Sequence, residues 1–418
     1  MEAKRSGSDM INSLPENVIE SILCLLPFKE AVRTSVICRE WRYYWTKVPN
    51  LVFIEDVDKA SLSDDDDERL SMTSQAKLKF LFAINQVMSM HQGPIHEFSL
   101  SMYARGRCVE IDQIIDHLSI NNTVKILALD MSGYWLPESF FSLHKLTDLY
   151  LRCCRLDAQP IFNGFPMLAK LHMENVITTK NMLLLFLSRC PLLTSVTLPA
   201  SVGLLSDADD STVVELMDCL PLVENLCISL SVIKSFVKGR VPNKLPAPLV
   251  CLKYLCIRGA RSVYEDRIPL LAFLIRSSPN LEKLNLQIVY NLRHETTLED
   301  YSDMWLEHLN EIEIQSWRKH KILGFLRVLM AKSPALKKVR MLLKWKVSRD
   351  EELKISRIFL RYQCASPVVQ IIVESDLSNA IKLNREVSGF RLTPAVHTVS
   401  AVVTWETVGF TWVARNLF

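Results

Sequence analysis

The sequence predicts an α/β repeat: a small three-helix module at the N-terminal side, then a solenoid whose strands stack into one curved parallel sheet. Three observations carry this. From Ile95 onward an apolar pattern L-x-x-L-x-L recurs ten times, with 22 to 30 residues between successive middle anchors. Five of the ten copies carry a proline two residues before the first anchor. Between Asp9 and Phe53 the chain packs more apolar side chains into short helical segments than so small a unit can bury by itself.

The N-terminal stretch comes first. Ser13 and Glu16 stand at capping-box spacing, and Pro15 falls in the first helical turn, where its missing donor costs nothing. Ile19, Ile22, Leu23 and Leu26 make an apolar stripe at helical spacing, and Val18 and Leu25 widen it beyond what one buried face needs. Pro27 ends the helix. A short helix is expected around Ala31 and Val32, then a third with Ile37, Trp41, Tyr44, Trp45 and Val48 on one side. The apolar excess implies a partner.

Leu14-Pro15, the run Ile19 to Pro27, Ala31-Val32-Arg33-Thr34-Ser35-Val36, and Trp41 with Trp45 ahead of Val48-Pro49-Asn50-Leu51 resemble, in that order, the F-box. The resemblance implies a domain over 9–54 that docks on a Skp-family adaptor and, through it, on cullin and RING subunits of a ubiquitin ligase. It implies Leu14, Pro15, Ile19, Ile22, Leu23, Leu26, Pro27, Val32, Val36, Trp41 and Trp45 as adaptor-binding residues. Cys38-Arg39-Glu40 departs from the pattern, since plant members more often carry Ser followed by basic residues there.

Residues 55–94 read as an acidic linker and a joining helix. Ser61 to Arg69 is a charge run with almost no apolar content and predicts a mobile loop. Leu78, Leu81, Phe82, Ile84 and Val87 then predict a helix from Gln75 to Met90.

The repeat anchors are Ile95/Phe98/Leu100, Val124/Leu127/Leu129, Leu146/Leu149/Leu151, Leu168/Leu171/Met173, Leu193/Val196/Leu198, Val223/Leu226/Ile228, Leu252/Leu255/Ile257, Leu281/Leu284/Leu286, Leu309/Ile312/Ile314 and Leu336/Val339/Met341. Proline neither continues a helix nor donates within a strand, so Pro166, Pro191, Pro221, Pro279 and Pro334 mark the handover from helix to strand. The spacing is that of leucine-rich repeats. Its irregularity, and the missing Asn at the usual turn position, resemble the degenerate repeats of plant F-box proteins over 95–302.

Within 303–374, Leu309-Asn310-Glu311-Ile312-Glu313-Ile314, the helix from Phe325 to Met330, Ser333-Pro334-Ala335-Leu336-Lys337-Lys338-Val339 and Ser366-Pro367 before an apolar strand resemble the FBD region that ends many such proteins. Residues 375–418, rich in Val, Thr and aromatics including Trp405 and Trp412, read either as a product of an alternative exon or read-through with little order, or as an added strand pair.

Composition narrows the function classes. A net charge of +3 gives no global argument for nucleic acid. No charged leader precedes an apolar run and no apolar run approaches the ~20 residues of a membrane span, so the nucleus or cytoplasm is expected. Eleven cysteines without a C-x-x-C pair fit a reducing compartment. Gly93 and Gly106, the closest of eleven glycines, are thirteen apart, so no phosphate-cradling G-x-G-x-x-G or G-x-x-x-x-G-K can be written. Neither H-E-x-x-H, paired Cys/His spacing nor G-x-S-x-G occurs. Cys153, Cys154, Cys190 and Cys219 stand at strand ends, where a buried inert thiol is expected. No catalytic residue, metal or cofactor is assigned.

Between Trp317 and Arg349 lie eleven Lys or Arg and no Asp or Glu, which leaves the rest of the chain at −8. Such a run is either an interaction surface or the solvated faces of the last repeats. The sequence thus leads to a non-catalytic, substrate-recognition subunit of a Skp–cullin–F-box ubiquitin ligase. A repeat scaffold acting outside the ligase and a small-ligand receptor are the alternatives. Strand alternation places Tyr150, Arg152, Tyr254, Arg258 and Arg340 on the concave side as client-binding residues, with basic charge toward the C-terminal end and hence an acidic or phosphorylated client.

Overall fold

The computed structural model describes residues 14–36, 40–55, 66–104, 106–157, 162–199, 203–205, 212–237, 241–259, 268–288, 301, 303–316, 322–344, 354–355, 357–359, 361–375, 381–386 and 389–393 of the 418-residue chain. Ser13, Ile37, Cys38 and Arg39, Ser61 to Asp65 and the two tail tryptophans lie outside these residues.

The N-terminal module has helices α1 (Glu16–Cys24) and α2 (Phe28–Arg33) and, in third place, a 3₁₀ helix, Glu40–Lys47, not an α-helix. Side chains there compete for the carbonyls an α-helix would use: Trp45 Nε1 donates to the Arg42 carbonyl at 3.0 Å and Thr46 Oγ1 to that of Tyr43 at 2.6 Å. Pro15 sits just before α1, and its carbonyl accepts from the Val18 and Ile19 amides at 3.0 and 3.1 Å. Glu16 accepts from Lys47 Nζ at 2.5 Å, and Glu20 from the same nitrogen at 3.0 Å, so the third helix is tied to the first by exposed charges. The tie contributes little beside the apolar core of Ile19, Leu23, Phe28, Ala31, Trp41, Trp45 and Val48.

That core is continuous with the solenoid. Strand β1 (Asn50–Ile54) pairs in parallel with β2 (Glu97–Met102), with Leu51 opposite Phe98 and Phe53 opposite Leu100. Ring contacts run from Phe28 to Trp45 at 6.2 Å, Phe28 to Phe53 at 5.5 Å and Phe53 to Phe98 at 5.8 Å. The sheet therefore begins within the N-terminal module, ahead of the first anchor set read from the sequence. Helix α3 spans Asp66–Met90, so Asp66 to Arg69, expected as the end of a mobile loop, are helical.

The sheet continues through β3 (Ile126–Trp135), β4 (Asp148–Arg155), β5 (Lys170–Glu174), β7 (Ser195–Leu198), β9 (Asn225–Ser229), β10 (Tyr254–Arg258), β11 (Lys283–Ile288), β12 (Glu311–Ser316), β13 (Lys338–Leu343) and β14 (Val369–Ser375), each parallel to the one before. Short β6 (Ile177–Thr179) and β8 (Gly203–Leu205) pair beside this path, and β15 (Ile381–Glu386) and β16 (Gly389–Thr393) close it as an antiparallel pair. The added strand pair is thus the form the chain takes just past β14.

All ten anchor triplets are at most 3% exposed. Each of the five prolines is the second residue of a tight turn: the carbonyl just before it accepts from the amide of the first anchor, as from Cys190 to Leu193, Ser278 to Leu281 and Ser333 to Leu336, at 3.3 Å in all three. Proline's fixed φ suits that position, so it bends the chain into the strand. Burying a leucine anchor stabilises by about 1.5–3 kcal/mol, and truncation also leaves a cavity. Leu284→Ala, in the middle of the array, is expected to lower the unfolding free energy by about 2–5 kcal/mol in a urea titration.

Candidate functional site

Two surfaces are assembled from the residues singled out in the sequence. The first is on the N-terminal module. Ile19, Leu23, Trp41 and Trp45 belong to its core, Leu14 and Val32 pack half-buried against it, and Ile22 is half-buried. Pro15, Leu26, Pro27 and Val36 are exposed, together with Val18 and Leu25. The outer apolar set is therefore Pro15, Val18, Leu25, Leu26, Pro27 and Val36, with Leu25 86% and Val36 85% exposed. Burial removes the four core residues from direct contact: the large aromatics that make the motif recognisable are needed to hold the module together.

The second surface is the concave face of the sheet. Parallel register aligns Tyr150, His172, Thr197, Cys227, Cys256, Asn285, Glu313 and Arg340 in one row across eight strands. Tyr254 lies in the row before it, and Arg152 and Arg258 in the row after. From Tyr150 to Arg340 is seven strand steps, roughly 34 Å along the sheet at ~4.8 Å each. The five expected client residues thus form no single pocket. Tyr150 and Arg152 share β4, Tyr254 and Arg258 share β10, and Arg340 stands apart on β13.

Several charges on this face are paired. Arg152 reaches Asp130 at 3.3 Å and Glu174 at 3.7 Å, and His172 lies 3.6 Å from Glu174. Glu174 is held below the usual carboxylate range, chiefly by His172. Lys170 meets Asp148 at 2.9 Å and is made more basic by it. Tyr150 stacks at a tilt on His172, ring centroids 6.1 Å apart, and burial raises its phenol pKa.

Toward the C-terminal end Lys283 and Lys338 both reach Glu311, at 3.4 and 3.5 Å, and Arg340 reaches Glu313 at 3.8 Å. Glu313 also accepts from Asn285 at 3.3 Å and Gln315 at 3.1 Å. Asn285 is only 7% exposed, and the Arg340 side chain 14%, so Arg340 does not present the open surface that alternation suggested. Glu311 and Glu313 on the neighbouring strand offset the basic charge expected there. The basic run divides as well: Arg327 is on a helix, Lys332 in the turn that follows it, Lys337 just before β13, Lys338 and Arg340 on β13. Arg318, Lys319, Lys321, Lys346 and Arg349 lie outside the described residues.

Burial pushes the thiols of Cys108, Cys154, Cys190 and Cys219 up, that of Cys190 to about 11. Cys24 is exposed, and its thiol is raised by partial burial and by Glu20. Iodoacetamide at neutral pH is expected to leave Cys154 and Cys190 unlabelled in the folded chain and to label both in urea, read by peptide mass spectrometry.

Comparison with known proteins agrees with this architecture. Residues 11–53 match the F-box domain, and residues 111–208 match the family described as "FBD-associated F-box protein At5g56370, LRR repeats". The chain is 27% identical to the F-box/FBD/LRR-repeat protein At1g13570 of Arabidopsis thaliana, over 88% of this chain and 99% of that one. It is 31% identical to the F-box/LRR-repeat protein At4g14096 of the same plant, over 44% of this chain and 38% of the relative. A small helical module that shares its core with a parallel-sheet repeat solenoid is the class that the fold defines. Residues 11–53 are thus similar to an F-box and residues 111–208 to FBD-associated leucine-rich repeats, the combination that the Arabidopsis relative carries in its name.

Proposed function

We propose that the chain is the substrate-recognition subunit of a Skp–cullin–F-box ubiquitin ligase, non-catalytic itself, working in the nucleus or cytoplasm. The observation that carries this is the shared core of F-box and solenoid: β1 is at once the end of the module and the first strand of the sheet. Docking at one end thereby fixes the position of everything the repeats hold. Catalysis comes in trans from the RING subunit and the conjugating enzyme, and the chain acts through proximity, raising the effective concentration of a client lysine near activated ubiquitin. Residues 9–54 are the F-box, 55–94 the join, 95–302 the repeats and 303–374 an FBD region that extends them; β12, β13 and β14 in one sheet support that extension.

The adaptor rests on the exposed apolar set, and Leu14, Ile22 and Val32 line its base. Clients are taken on the concave face, where Tyr150 and Arg152 lie within one strand of His172 and Glu174. Arg152→Glu sets like charges against Asp130 and Glu174 on an exposed site and is expected to abolish client capture while adaptor binding persists. Co-precipitation of both from plant extract tests this, and unchanged client capture would move the recognition face elsewhere. Arg340→Glu is the poorer probe, since it would also disturb the half-buried contact with Glu313.

A further inference from the structure

We propose that Trp135, flanked by Arg107 and Arg155 at the exit edge of the N-terminal strands, is a recognition site for oxyanion side chains of an acidic peptide segment. The guanidinium of Arg155 lies 4.6 Å from the Trp135 ring centroid and that of Arg107 6.0 Å from it, so one indole lies within cation–π reach of two cations. Trp135 is 38% exposed, although it ends a strand of the core sheet.

The backbone builds this position. Between Asp130 and Tyr134, β3 carries extra residues relative to β4, a bulge in which Gly133 takes φ +91°. The strand then resumes its pairing, Tyr134 opposite Cys154 and Trp135 opposite Arg155, and the Trp135 amide donates to the Gly106 carbonyl at 3.0 Å. Bulges of this kind re-aim side chains. Beneath, Tyr134 is buried and donates to Asp112 at 2.5 Å, so the strand end that bears the indole is anchored.

The cations are not used up within the fold. Arg155 meets Asp157 through Nε alone, at 2.8 Å. Among the described residues Arg107 has no carboxylate within ion-pair distance. A guanidinium stacked on an aromatic ring and held at Nε has little freedom left to lose, and its Nη pair matches the two oxygens of a carboxylate or phosphate. Trp and Arg are also the residue types most enriched among binding hot spots. This site deepens the client-recognition reading but does not depend on adaptor docking.

The test is fluorescence anisotropy of the full chain with fluorescein-labelled octaglutamate, a labelled phosphoserine peptide and a labelled single-stranded RNA of equal length, alongside adaptor capture. Binding of either peptide is expected, weakened at least tenfold by Arg107→Glu, Arg155→Glu or Trp135→Ala and less by Arg155→Lys, which keeps the charge and loses the fork. The stronger of the two peptides identifies the oxyanion as carboxylate or phosphate. No peptide binding, binding indifferent to all these variants, or tighter binding of RNA than of both peptides would overturn the proposal. Adaptor capture unchanged throughout separates such a failure from a failure of the F-box assignment, and circular dichroism melting shows that the exposed-site variants fold.

Discussion

Replacing Leu25 and Val36 together by aspartate is expected to abolish capture of a Skp-family adaptor. Both are exposed on the module, so no core contact is lost and the melting temperature should not move. Interface anchors of this kind cost about 2 kcal/mol or more each when removed, roughly thirtyfold in affinity per residue. Leu14→Ala with Pro15→Ala would mix two effects, because Leu14 packs against the core and the Pro15 carbonyl starts the first helix. The aspartate pair reports docking alone. If it pulls down adaptor as well as the unchanged chain, the F-box surface has been misread.

The same residues show how far the sequence could be read. Anchors at fixed spacing reveal burial directly, because a leucine facing the core must recur wherever the strand does; all ten triplets are buried. Motif residues of the F-box are harder, since a pattern does not separate the side chains that hold a module together from those that touch its partner. Trp41 and Trp45 are buried in the module, while Leu25 and Val36 are exposed on it. Strand β1 escaped notice because Leu51 and Phe53 offer a short apolar alternation, more than forty residues from the next strand. On the concave face alternation gave the side of Arg340 but not its pairing: parallel register sets Glu311 and Glu313 beside Lys338 and Arg340, and the sequence reading does not weigh those carboxylates. The Arg107–Trp135–Arg155 cluster was illegible, because it depends on a bulge.

Gly164→Ala should be the most damaging single change outside the anchors. Gly164 has φ +91°, and a Cβ there would stand 1.9 Å from the carbonyl oxygen of Arg189 in the following repeat. The left-handed backbone costs a non-glycine residue roughly 1–2 kcal/mol, and parting two packed segments about 1–3 kcal/mol more. A loss of about 2–5 kcal/mol is therefore expected in chemical denaturation, spread to neighbouring repeats because each is stabilised by those beside it. The surrounding rings magnify it: Phe162 and Phe165 pack 5.4 and 5.5 Å from Phe186. A loss below about 1 kcal/mol would show that this connection yields freely, contrary to the packing described.

We propose that one chain, through the core shared by module and solenoid, joins a ligase to a client. Affinity purification of the tagged full chain from plant cells, with and without proteasome inhibition, tests it most directly. The account predicts that a Skp-family adaptor and a cullin co-purify in both conditions, while further proteins accumulate on the chain only under inhibition and are lost with Arg152→Glu. Recovery of the chain without adaptor and cullin, or of a protein set that inhibition leaves unchanged, would contradict it.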